Sequence, residues 1–141
     1  MNVRQILEQK GRDVATFGPD ATLSEATALL AEKKIGALVV VTEETIVGIL
    51  SERDAVRAIA DHGASALDRP LSDFMTSDVK NCSENSTVEE VMDQMTDGRF
   101  RHLPVVEDGK MVGIISIGDV VKRRIRQAQE EADSLKQYIA S

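Results

Sequence analysis

The chain has 141 residues and a net charge of −7; 42% of its residues are hydrophobic, only 3% are aromatic, and it contains no tryptophan. This length holds one ordinary domain or two very small ones, and the core has to be built from Val, Ile, Leu, Ala and Met. The acidity disfavours non-specific nucleic-acid or anionic-membrane binding, both of which need an excess of cations. The single cysteine, Cys82, excludes an intramolecular disulfide or a cysteine zinc cluster, and two histidines, His62 and His102, are too few for a histidine-rich metal site. No apolar run approaches the roughly 18–20 residues of a membrane span. The opening MNVRQILEQKGRD lacks the apolar stretch of a signal peptide, so a cytoplasmic chain is expected.

The chain repeats itself. An offset of 65 sets Val14 on Val79, Thr22 on Thr87, Glu25 on Glu90 and Leu38 on Leu103. The same offset sets Val47-Gly48-Ile49 on Val112-Gly113-Ile114, Ser51 on Ser116 and Asp54 on Asp119. After a three-residue adjustment, the leading VRQIL (3–7) also resembles LSDFM (71–75). In chain order, each copy predicts a short strand (Val14 to Phe17; Val79 to Ser83) and then a helix. Asp20 or Thr22 caps the first helix and Asn85 or Ser86 the second. Apolar residues then recur at helical spacing, as Leu23, Ala26, Leu29 and Leu30 and as Val88, Val91, Met92 and Met95.

Two β-branched runs follow in each copy. Ala37 to Val41 and Ile46 to Leu50 flank a Thr42–Thr45 turn; Leu103 to Val106 and Met111 to Ile115 flank Glu107-Asp108-Gly109-Lys110, a hairpin signal. A second helix opens at Ser51 and at Ser116. The expected fold is therefore mixed α/β (α+β), two β-α-β-β-α repeats plus a C-terminal helix. The expected boundaries are repeat 1 over residues 1–60, a linker over 61–70, repeat 2 over 71–124 and an amphipathic helix over 125–141. Copies this small bury little surface alone. They are expected to share one core about a pseudo-twofold axis, with two equivalent clefts between them.

The most specific string is G-h-h-S-x-x-D, with h apolar, at Gly48–Asp54 and Gly113–Asp119. Glycine permits close approach of a ligand or neighbouring backbone. Serine at the strand-to-helix turn caps the helix and offers a hydroxyl, and the helix start favours a phosphate. Aspartate on the first turn suits two ribose hydroxyls. The plainer reading of both residues is helix capping and helix-start electrostatics.

From about Val3 to Lys122 the sequence resembles the CBS-domain family, and in particular a stand-alone bacterial CBS pair, or Bateman module. The resemblance rests on both G-h-h-S-x-x-D strings, the Leu103-Pro104-Val105-Val106 run and the duplication. It implies regulation rather than catalysis, with no catalytic cofactor or metal. The implied ligand contains adenosine and is held between the repeats, AMP ahead of NAD(H) or ATP. By resemblance, one site uses Ile114, Ser116 and Asp119 with Thr16, Ile35, Gly36 and Ala37, its phosphates met by Arg101 and His102. The other uses Ile49, Ser51 and Asp54 with Asn81, Cys82, Phe100 and Arg101. Arg99 joins the basic cluster, and Arg53 has no basic counterpart because Gly118 is in register. Phe100 replaces Ile35 as a stacking face or a plug.

Val121, Ile125, Ala128, Ala132, Leu135 and Ile139 form a heptad-like seam on the last helix. A homodimer is expected, acting on an effector protein that the sequence does not identify. The alternative is a ligand-free structural or dimerisation module.

Overall fold

A computed structural model describes residues 1–140; Ser141, the end of the expected C-terminal helix, lies outside the described residues. The order is α1 (Val3–Lys10), β1 (Thr16–Phe17), α2 (Leu23–Lys33), β2 (Ala37–Thr42), β3 (Thr45–Ser51) and α3 (Glu52–His62). Two 3-10 helices (Gly63–Asp68 and Leu71–Asp73) lead to α4 (Val88–Gly98), β4 (His102–Glu107), β5 (Lys110–Ser116) and α5 (Ile117–Ala140). The fold is mixed α+β, with one sheet ordered β1-β2-β3 and a second formed by β4-β5. β1 runs parallel to β2 through Phe17↔Val40. In the second copy the same pairing is one parallel bridge, Cys82↔Val105, at the positions 65 further on.

The residues gather into two compact units that do not coincide with the two sequence repeats. The repeat-1 unit comprises Asp13–Lys80 with Asp108–Met111; the repeat-2 unit comprises Met1–Arg12, Asn81–Glu107 and the chain from Val112. The leading segments are exchanged, and the backbone bonds show it. Val3 N–H donates to Ser86 O (2.9 Å) and Val88 N–H to Met1 O (3.2 Å). The equivalent bonds in the repeat-1 unit are Leu71 N–H to Ala21 O (2.8 Å) and Leu23 N–H to Arg69 O (3.0 Å).

The buried residues form two clusters, one in each unit, where a single shared core was expected. Val3, Ile6 and Leu7 of α1 pack with Val88, Val91, Met95, Leu103, Val105, Ile115 and Val120. Leu23, Ala26, Leu30, Leu38, Val40, Leu50, Ala55, Ala58, Ala66 and Leu71 form the other cluster. Each fully buried Leu, Val or Ile contributes about 1.5–3 kcal/mol relative to exposure, so α1 is a structural part of the repeat-2 unit.

Local rules account for most element ends. Thr22 caps α2 in a capping box with Glu25. Its register partner Thr87, not Asn85 or Ser86, caps α4 by accepting from the Glu90 amide. Ser86 Oγ instead accepts from the Ser83 amide at 3.1 Å. Both hairpin turns use left-handed backbone at two successive residues, Glu43-Glu44 (φ 49° and 68°) and Asp108-Gly109 (φ 51° and 77°), which matches the strand twist. The expected linker over 61–70 is largely helical: α3 runs to His62, and Ala66 in the following 3-10 helix is fully buried. The helix that starts after Ser116 and the C-terminal helix are one continuous α5, because no Gly or Pro interrupts residues 119–140.

Candidate functional site

The two G-h-h-S-x-x-D strings form the same local structure in each unit. Ser51 is the N-cap of α3, and its Oγ accepts from the Asp54 amide at 3.2 Å. Asp54 Oδ2 accepts in return from the Ser51 amide and hydroxyl, each at 3.0 Å. Ser116 Oγ accepts from the Asp119 amide at 3.2 Å, and Asp119 Oδ2 from the Ser116 amide at 2.8 Å. Capping therefore uses one carboxylate oxygen of each aspartate, and among the described residues the other, Oδ1, has no partner.

The residue just before the first hairpin strand of each unit is tied to the first turn of the helix that follows the hairpin. Gly36 O accepts from the Glu52 amide at 2.9 Å, and Arg101 O accepts from the Ile117 amide at 2.7 Å. Ala37 pairs with Ser51 across β2 and β3. In the repeat-1 unit this brings Gly36, Ala37, Ser51 and Asp54 together; in the repeat-2 unit it brings Arg101, Ser116 and Asp119 together.

The glycines of the motif serve the fold. A Cβ on Gly48 would lie 2.5 Å from Met75 Sδ and 3.2 Å from Met75 Cβ; one on Gly113 would lie 2.7 Å from Leu7 Cδ2. Met75 and Leu7 are the equivalent residues of the two leading segments under the three-residue adjustment. At both glycines a side chain of a leading segment comes up against the strand.

Other candidate residues divide by exposure. Thr16, Arg53, Asn81, Arg99 and Arg101 are exposed; Ile35, Ile49, His102 and Ile114 are half-buried. Arg99 is the left-handed C-cap of α4, as Lys34 is of α2. Phe100 packs against the core of its own unit and occupies the space beside Gly98. Cys82 is used by the fold: its amide donates to Pro104 O (3.0 Å), its carbonyl accepts from Val106 N–H (2.8 Å), and its thiol is buried. Burial, helped by the nearby Glu107 charge, pushes that thiol up to about 12.

Sequence reasoning missed Lys10. Its ammonium donates to Asp119 Oδ2 at 2.7 Å and to Ile114 O at 2.9 Å. Burial opposes ionisation of Asp119. The hydrogen bond from Lys10, the Ser116 amide, the Lys10 charge and the Ser116 hydroxyl outweigh it and hold the carboxyl below its usual range. In the repeat-1 unit the carbonyl equivalent to Ile114 O, that of Ile49, accepts instead from the Thr76 amide at 2.9 Å. A signal for Lys10 was present in the adjusted alignment, which sets it opposite Asp78. Beside Asp119, α1 and α5 border a groove of ≈ 240 Å³ lined by Ile6, Gln9, Lys10, Lys122, Arg123 and Arg126. Among the described residues there is no group of three or more His, Cys, Asp or Glu that could hold a metal ion, and no helix long and apolar enough to cross a membrane.

The CBS domain family model matches residues 3–61 and 71–126. The chain is 37% identical over 125 residues to the mitochondrial CBS domain-containing protein CBSX3 of Arabidopsis thaliana, covering 85% of this chain and 61% of that protein. It thus spans about three fifths of that relative's length. A CBS-domain protein of Agrobacterium tumefaciens has a similar structure, with TM-score 0.85 and 50% identity, covering 88% of this chain and 99% of that one. Two further similar structures contain ligands. The CBS domain pair of protein MJ0100 (TM-score 0.80, 25% identity, 90% of this chain and 98% of that one) is in complex with 5-methylthioadenosine and S-adenosyl-L-methionine. A CBS domain protein of Pyrobaculum aerophilum (TM-score 0.75, 27% identity, 84% and 89%) is complexed with AMP.

Proposed function

Since the chain belongs to the CBS domain family, we propose that it is a regulatory module that binds an adenine nucleotide and acts through a partner protein. The observation that carries this reading is the duplicated Ser–Asp cap. Each places a half-buried carboxylate, with one oxygen unpartnered, at a helix start. Such a carboxylate suits a ribose diol, and a helix start suits a phosphate. The complexes of similar proteins with AMP and with S-adenosyl-L-methionine support the adenosine class.

The proposed ligand sets are Asp119, Ser116 and Ile114 with Thr16, Ile35, Gly36 and Ala37, and Asp54, Ser51 and Ile49 with Arg53, Asn81, Cys82, Phe100 and Arg101. Arg101, Arg99 and His102 are assigned to phosphates, and AMP stands ahead of ATP or NAD(H). The proposal includes a cytoplasmic setting, a homodimer and an effector protein as target, with regulation rather than catalysis as the role. Calorimetry and thermal-shift measurements with AMP, ATP, NAD, NADH and S-adenosylmethionine test it. Binding that weakens in Asp119→Ala or Asp54→Ala is the expected result; no binding at millimolar ligand by either method overturns it.

A second reading, a ligand-free interaction module, is favoured by two observations. Phe100 is packed on its own core, and Lys10 already holds one oxygen of Asp119, Oδ2. The same ligand panel separates the two readings.

A further inference from the structure

The two aspartates are equivalent in sequence and in capping, but not in electrostatic surroundings. Asp119 shares its groove with Lys10, Lys122, Arg123 and Arg126, and it is the only acid among the lining residues. Arg123 donates to Gln9 Oε1 at 2.9 Å. Lys122 and Arg126 have no hydrogen-bond or ion-pair partner among the described residues. In a chain of net charge −7 this is a local reversal of sign. At the register positions of Lys122, Arg123 and Arg126, α3 carries Arg57, Ala58 and Asp61, and Asp78 stands where the leading segment of the other unit has Lys10. Arg53, opposite Gly118, is the one cation gained there. Among the described residues Asp54 has no ion-pair partner; its carboxylate accepts from the Ser51 amide and hydroxyl.

A ribose diol that donates to both oxygens of Asp119 takes the free Oδ1 and competes with Lys10 for Oδ2, the oxygen that Lys10 holds at 2.7 Å. A neutral diol replaces the hydrogen bond and not the charge. The displaced ammonium, with a side chain only 32% exposed, then stands among three other cations without its counter-ion, a costly arrangement at partial burial. A ligand that brings a phosphate supplies the missing negative charge and gives Lys10, Lys122 and Arg126 an acceptor. We infer that Lys10 and the α1/α5 groove make the Asp119 position selective for anionic, phosphorylated adenosine ligands. The Asp54 position, without such a lock, accepts uncharged or cationic adenosyl ligands. The inference rests on the adenosine reading of the two aspartates and deepens it.

The test is calorimetry with ADP and adenosine on the full chain carrying Asp54→Ala, so that the Asp119 position alone is read. With Lys10 present, ADP is expected to bind at least about tenfold tighter than adenosine, and this margin is expected to shrink as salt is raised. Lys10→Met is expected to tighten adenosine, by freeing Asp119, and to weaken ADP. Lys122→Ala with Arg126→Ala, both on the exposed face of α5, is expected to weaken ADP and leave adenosine unchanged, which keeps the test open if Lys10→Met fails to fold. An ADP-to-adenosine ratio that moves in neither variant overturns the inference and leaves the function standing. Absence of binding by both ligands to every protein, the unsubstituted chain included, overturns the adenosine reading and the inference with it.

Discussion

Gly113 leaves the space that Leu7 fills: a Cβ at residue 113 would stand 2.7 Å from Leu7 Cδ2 and 3.0 Å from Cδ1. Leu7 is 1% exposed and packed in its core, so it has little room to withdraw. Gly113→Ala is therefore expected to destabilise the protein by about 1–3 kcal/mol through overpacking. Combining it with Leu7→Val is expected to recover part of that loss. A double-mutant cycle in urea measures the coupling, and strict additivity would show that the two residues do not meet.

The Lys10–Asp119 pair gives a pH signature. The Asp119 carboxyl is held below its ordinary 3.8 in the folded protein. The unfolded chain therefore takes up the proton first as pH falls, and stability rises with pH through that region. The contribution is complete above the unfolded value and is lost as pH drops from about 3.8 through the lower folded value. Lys10→Met is expected to be less stable than the parent by about 1 kcal/mol near pH 6, the upper end for a partly exposed pair. The gap should close toward pH 3 in urea titrations at a series of pH values; a gap independent of pH would count against the pairing.

The hairpin turns differ in how well their residues suit left-handed backbone. Gly109 adopts φ 77° freely, whereas its register partner Glu44 is held at φ 68°. Glu44→Gly, or Asn-Gly at 43–44, is expected to raise stability by up to about 1 kcal/mol, and Gly109→Ala to lower it by a similar amount. Thermal unfolding checks both directions of change.

Cys82 is expected to be inert in the folded protein. Its thiol stands at about 12 and is buried, and the reactive species is the thiolate. Iodoacetamide at pH 8 is expected to label it only after denaturant is added. Labelling of the native protein at the rate of a free thiol would place the side chain outside the core.

The outer part of α5 carries Ile125, Leu135 and Ile139 at 65%, 59% and 75% exposure. If the proposed homodimer uses this seam, Leu135→Glu is expected to shift the sedimentation coefficient from dimer toward monomer with little change in thermal stability. A dimer unaffected by Leu135→Glu would place the interface elsewhere.

Much of the local structure was legible because it depends on residues close in sequence. The α2 cap at Thr22 with Glu25, the Asp108-Gly109 turn and the Ser51–Asp54 and Ser116–Asp119 boxes follow from side chains three or fewer residues apart. The α4 cap was misplaced although the repeat itself pointed to Thr87, because Asn85 and Ser86 are equally good cappers by residue type. Lys10 was illegible from the motif alone, since its partners Ile114 and Asp119 are 104 and 109 residues away.

The duplicated elements, the α2, α3 and α5 caps, the turns and the matched Gly-Ser-Asp strings were set by the sequence alone, since each depends on local propensity and on a pattern written twice. Which copy each leading segment joins is set by long-range packing. VRQIL and LSDFM present apolar side chains in the same order, so local preference does not separate the two pairings. The observed exchange seats Leu7 on Gly113 and Met75 on Gly48, and it is this exchange that brings Lys10 to Asp119.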